Sequence, residues 1–125
     1  MNVEKFEKQH RFHRPIISIR RKGTISINSE AVRAFNLKEM RFATLHYDRK
    51  ESIMGIKPVA DNTDPAAFRV IREGNRTYLI SCQSFLNHYG IPYKDASKTF
   101  KPAWDEKTKM LFVKLQQNQT KEVRT

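Results

Sequence analysis

The sequence predicts a mainly β protein with short helices, an α+β fold in which a strand, strand, helix, strand, strand unit occurs twice and the copies form one pseudo-twofold barrel. Three observations predict it. Apolar residues alternate with polar ones in short runs separated by turn residues, as half-buried strands require. The helical signals cover only about two turns each, and each ends at a residue suited to a left-handed cap. The order of signals before residues 61–65 (DNTDP) also returns after them.

In order, the first fourteen residues carry Lys5, Lys8, Arg11 and Arg14 against Glu4 and Glu7, with no apolar face before Pro15, and read as a basic arm or a short strand extension. Ile17, Ile19, Ile25 and Ile27 alternate around Arg21, Lys22 and Gly23, the pattern of a hairpin. Asn28 or Ser29 can cap a helix with Ala31, Val32 and Phe35 on one face, and Asn36 takes the left-handed position before Leu37. Alternation resumes over residues 41–48, turns at residues 49–51 and returns over residues 52–57. DNTDP, with Asn, Asp and Pro and no apolar residue, breaks the chain near its middle.

The second half repeats this order. Phe68, Val70, Tyr78 and Ile80 flank Glu73, Gly74 and Asn75; Ser81 or Cys82 precedes Phe85, Leu86 and Tyr89; Gly90 takes the cap position before Ile91. A shorter break at residues 92–97 (PYKDAS) leads to residues 98–105, a turn, and residues 109–114. Tyr47-Asp48 and Trp104-Asp105 end matching strands. Superposing the helices takes a shift of 54 residues and superposing the last hairpins a shift of 57, with the difference absorbed at residues 93–97. The predicted organisation is an arm (1–14), one barrel domain (15–115) of two repeats (15–60 and 67–115) joined by a linker (61–66), and a polar tail (116–125).

Composition narrows the function classes. The chain has 125 residues, 24 Lys and Arg against 13 Asp and Glu, and a net charge of +11. Such an excess favours polyanions, either nucleic acid or an acidic protein. No run of about 18 apolar residues and no apolar stretch behind the N-terminal charges occurs, so a membrane span and a secretory signal are not expected and a cytoplasmic location is. One cysteine, Cys82, excludes an internal disulfide framework.

The first half, ISINSEAVRAFNLKEMRFATLHYDRKESIMGIKP, resembles the swapped-hairpin module of AbrB, SpoVT and MraZ-type bacterial transcription regulators. Gly23 matches the turn, Ile25 and Ile27 the strand, residues 30–37 the helix, Asp48 the acidic turn, and Ile56, Lys57 and Pro58 the end. The match covers about 45 residues, and the second half repeats it more weakly. Thr24 and Asn28 stand where the family usually has Arg and Pro. The resemblance implies a DNA-binding barrel with both units in one chain, as in MraZ-like proteins, and a homodimer is compatible with it.

Two arginine clusters carry the functional expectation. Arg20, Arg21 and Lys22 occupy the first hairpin turn, and Arg69, Arg72 and Arg76 the corresponding place in the second half, so a pseudo-twofold axis would display them symmetrically to duplex phosphates. Guanidinium holds phosphate or a guanine edge through two parallel hydrogen bonds, which ranks arginine above the scattered lysines. Arg14 and Arg33 complete the expected nucleic-acid-binding set, with Lys38, Arg41 and Arg11 as further phosphate contacts.

Other chemistry is weaker. His10 and His13 lack the three or four convergent ligands a metal needs, His46 and His88 are isolated, and Cys82 reads as a small buried residue. No phosphate loop, nucleophile elbow or zinc-protease motif occurs, so no cofactor is predicted and an enzyme is the least favoured class. The favoured function is a DNA-binding regulator. The alternatives are a non-catalytic barrel module of phage, plasmid or other mobile-element origin that meets an acidic protein, and single-strand binding by stacking on Tyr47, Phe100, Trp104 or Phe112.

Overall fold

Alternation sets the first hairpin. In the computed structural model, which describes residues 3, 14–61, 63–74 and 76–115, β1 (Ile17–Arg20) and β2 (Thr24–Ile27) pair antiparallel, Ile17 opposite Ile27 and Ile19 opposite Ile25. The period of two puts all four isoleucines on the buried side and turns Ser18 and Arg20 to the other. Gly23 N donates to Arg20 O at 2.9 Å with Gly23 at φ 83, a left-handed conformation that favours glycine. The expectations for the arm, including Lys5, Lys8, His10, Arg11 and His13, and for the 116–125 tail lie outside the described residues.

Asn28 starts α1 (Ser29–Ala34) by accepting a hydrogen bond from Ala31 N at 2.9 Å on its Oδ1. The chain leaves the helix through Asn36 at φ 58, with Leu37 N donating to Val32 O at 2.8 Å. That bond satisfies a carbonyl which the helix end would otherwise orphan. Then β3 (Phe42–Asp48) and β4 (Ile53–Val59) form a seven-residue ladder. The central break is held by its own side chains: Asp61 Oδ1 accepts from Thr63 N and Oγ1, and Asp64 Oδ1 from Ala66 N.

Beyond the break come β5 (Phe68–Arg69), β6 (Ile71–Glu73) and β7 (Thr77–Ser81), then α2 (Gln83–His88). This second helix ends as the first does, at Gly90 with φ 66 and with Ile91 N donating to Leu86 O at 2.9 Å. Its start differs, because the side chain of Cys82 at the cap position makes no capping bond. The chain finishes with β8 (Lys98–Phe100), β9 (Ala103–Asp105) and β10 (Met110–Lys114).

The strands form two five-stranded sheets, ordered β6, β7, β2, β1, β8 and β5, β3, β4, β10, β9, and every pairing is antiparallel. The edge strands are consecutive stretches of chain: β5 and β6 flank Val70, and β8 and β9 flank Lys101 and Pro102. Each corner is thus a bent strand that leaves one sheet and enters the other. The ladders break at these bends, where Val70 N turns to Arg41 O at 2.8 Å and Pro102 has no N–H to donate. Among the described residues the result is two open sheets with two short helices, and not the closed barrel that the sequence pattern suggests.

One apolar cluster joins both halves. Ile17, Ile19, Ile25, Ile27 and Ile80 of the first sheet meet Met54, Ile56, Leu111 and Val113 of the second, and Ala31 and Leu86 seal it from the helices. Among the described residues no helix is long and apolar enough to cross a membrane.

Candidate nucleic-acid interface

The pairing of β2 with β7 decides where the basic residues go. Ile27 stands opposite Tyr78 and Thr24 opposite Ser81, so the tip of the second hairpin lies beside the start of α1. The tip of the first lies beside the start of α2, where Cys82 N donates to Gly23 O and Gln83 Nε2 to Lys22 O, both at 2.9 Å. The two tips therefore point in opposite directions along the first sheet, although the Arg20 side chain still reaches Glu73 of the second hairpin.

Beside α1 the second hairpin forms a groove of about 600 Å³. Arg33, Lys38, Arg72 and Arg76 line it, and Glu30 is the one acid among its lining residues. Glu30 Oε2 accepts from Arg33 Nη2 at 2.7 Å, across one turn of α1. Arg72 also lines an adjoining groove of about 310 Å³ with Arg41 and Arg69. Five arginines and one lysine, all exposed, thus border two grooves that share Arg72.

Arg72 is fastened in place. Its Nη2 donates to Lys38 O at 3.1 Å, and its guanidinium carbon lies 5.2 Å from the centre of the Tyr78 ring. Tyr78 OH donates to the same Lys38 carbonyl at 2.6 Å. The cation–π contact and the shared carbonyl orient a side chain that would otherwise sample many rotamers.

The remaining expected residues are elsewhere. Arg20 is held by Glu73, Nη2 to Oε1 at 3.2 Å and Nη1 to Oε2 at 3.4 Å, so a carboxylate already occupies its fork. Arg21 and Lys22 are exposed near α2, with Arg21 N donating to Ser97 Oγ at 3.3 Å. Arg14 lines a separate groove of about 320 Å³ with Lys101, and its carbonyl accepts from Asn28 Nδ2 at 2.9 Å. The two tips take corresponding places, each beside the start of the other half's helix, but the cations around them differ. A shift of 54 residues carries Arg33 to Asn87 and Lys38 to Pro92, so the cations that α1 and its following turn add beside the second tip have no counterparts beside the first. Lys38 and Arg41, secondary in the sequence reading, belong to the main cluster. The partnership of Glu73 with Arg20 spans 53 residues and has no local signature.

The other reactive side chains are engaged or buried. Cys82 is buried, and loss of solvent around its thiol pushes its pKa up to about 12, far from a nucleophile's value. His46 Nε2 lies 2.8 Å from Thr44 Oγ1; partial burial, then the charge of Lys57, lowers its pKa, and Asp64 opposes them. His88 packs edge-on against Tyr89. Tyr47, Phe100 and Trp104 pack half-buried against the core, with Trp104 Nε1 donating to Glu106 Oε1 at 2.9 Å, and Phe112 is half-buried. No family model matches the chain, and neither a curated protein nor a solved structure does.

Proposed function

We propose that the protein is a non-catalytic, duplex-DNA-binding regulator that grips phosphates through the joined grooves beside α1. The carrying observation is the concentration of Arg33, Lys38, Arg41, Arg69, Arg72 and Arg76 around two grooves with one lining acid, Glu30. Arginine forks match phosphate oxygens bidentately, and a groove collects several such forks along one backbone. A protein core needs none of these charges there, and like charges gathered at one place cost stability unless an anion neutralises them.

The finer architecture belongs to the same proposal: two ββαββ units related by a pseudo-twofold axis, as in the swapped-hairpin regulators. Its support is that corresponding strands lie side by side, β2 with β7 and β4 with β10. Left-handed residues also recur at corresponding places, Asn36 with Gly90 and Ser52 with Lys109. Duplication followed by divergence would leave the two equivalent ends with different sets of cations.

Binding of a labelled duplex across a salt series tests the function. The double substitution Arg33→Ala and Arg76→Ala is expected to weaken binding and to flatten the slope of log affinity against log salt by about one to two, roughly 0.9 for each phosphate that is no longer neutralised. An unchanged slope in a folded variant refutes the assignment of these grooves.

A further inference from the structure

We infer that Arg72 is the fixed point of this interface, the guanidinium over which a phosphodiester backbone crosses from one groove into the other, with Tyr78 as its positioning residue. The inference rests on the nucleic-acid reading above and deepens it. It names the ligand class as a strand presenting consecutive phosphates, in contrast to a lone phosphate or a mononucleotide.

Three observations carry it. Arg72 alone among the six cations lines both grooves, so a backbone that uses both must pass it. It is also the one whose guanidinium is tethered on two sides, by the Lys38 carbonyl at 3.1 Å and the Tyr78 ring at 5.2 Å. Nη2 is spent on the carbonyl, while Nε and Nη1 make no hydrogen bond among the described residues and remain for an incoming oxygen. Finally, the Tyr78 hydroxyl, bonded to the same carbonyl at 2.6 Å, fixes that acceptor relative to the ring. Tyr78 is itself buried on β7, so the tether is anchored in the core and the guanidinium is oriented before the ligand arrives. Preorganisation of this kind removes part of the entropy lost on binding. Lysine cannot reproduce it, because an ammonium has no planar fork to divide between a carbonyl and a phosphate.

The contrast with Arg76 supplies the internal control. Arg76 lines the first groove only, and no hydrogen bond or ion pair holds it among the described residues. As an untethered cation it is not oriented in advance, so exchanging it for lysine forfeits its fork but no preorganisation.

The test compares Arg72→Lys, Arg76→Lys and Tyr78→Phe by anisotropy of a labelled duplex over a salt series, with folding checked by circular dichroism. Arg72→Lys is expected to lose about tenfold in affinity at an unchanged salt slope, and Arg76→Lys, whose guanidinium has no tether to lose, to weaken binding clearly less than that. Tyr78→Phe keeps the ring and drops the hydroxyl, and is expected to weaken binding several-fold, again without changing the slope. Inorganic phosphate or a mononucleotide is expected to compete only at concentrations at which the same ionic strength from chloride displaces the duplex equally. If Arg72→Lys binds like the parent, or loses no more than Arg76→Lys, Arg72 is not the fixed point. If a mononucleotide displaces the duplex well below that ionic strength, the ligand class is wrong. A parent protein that binds no duplex overturns the proposed function itself, which is a different result from either.

Discussion

Replacing Asn28 by Ala removes one amide that serves three backbone partners. Its Oδ1 accepts from Ala31 N at 2.9 Å and from Ile16 N at 3.0 Å, and its Nδ2 donates to Arg14 O at 2.9 Å. Loss of an N-cap costs about 1 kcal/mol. The Ile16 amide is half-buried and its lost bond costs about 1 kcal/mol more, whereas the Arg14 carbonyl lies at an exposed residue, where water replaces part of the bond. The expected loss is about 2 to 3 kcal/mol, a fall of roughly 10 °C in Tm for a domain of this size. Urea unfolding followed by Trp104 fluorescence measures it, with the m-value unchanged if only the native state is affected. Asn28→Asp keeps the acceptor, loses the donor and adds favourable charge at a helix start, so its cost stays near or below about 1 kcal/mol. A loss under about 0.5 kcal/mol for the alanine variant, or equal losses for both variants, refutes the reasoning.

Glu73→Gln releases Arg20 and removes a carboxylate next to Arg72, so it is expected to raise duplex affinity and steepen the salt slope by up to about one, while stability shifts by no more than about 1 kcal/mol because the pair is exposed; titration in a salt series reads both, and an unchanged slope means Arg20 meets no phosphate. Gly23→Ala forces a non-glycine residue to φ 83 and drives its Cβ into the Gln83 side chain, costing about 1 to 2 kcal/mol from the backbone alone. Combining it with Gln83→Ala is expected to relieve the overlap but not that backbone cost in chemical denaturation. The Cys82 thiol stays protonated in the folded protein up to about 12, whereas an unfolded thiol ionises near 9.0. Since the unfolded chain then binds fewer protons, stability is expected to fall as pH rises from about 9 towards 12. Cys82→Ala abolishes that component in denaturation midpoints measured across this range.

Local features were legible because they depend on neighbours a few residues away. The left-handed positions Asn36 and Gly90, the Asn28 cap and the Asp48 and Asp105 ends of β3 and β9 all follow from side-chain hydrogen bonding or the steric freedom of particular residues. The candidate site was only half legible. Its members were visible as arginines, but Arg20 looked equivalent to Arg72. The strand pairing and the reach of Glu73 separate them, giving one guanidinium a carboxylate and the other a carbonyl and an aromatic ring. Closure of the barrel was overestimated for a related reason: a bend at Val70 or Pro102 leaves the apolar alternation intact while it moves the chain from one ladder to another.

By itself the sequence determined the antiparallel β-rich class, the two short helices and the sides of the strands that are buried, because periodicity and capping are properties of a few consecutive residues. It also determined that the chain carries a large positive charge. Only the tertiary structure decided where that charge is concentrated. The antiparallel pairing of β2 with β7 sends the two hairpin tips in opposite directions and sets the second beside α1, so Arg33 and Lys38 join Arg72 and Arg76; separately, the reach of Glu73 to Arg20 neutralises that side chain. Which cations share a groove depends on the packing of residues about 40 to 50 positions apart, and such packing leaves no trace in local spacing.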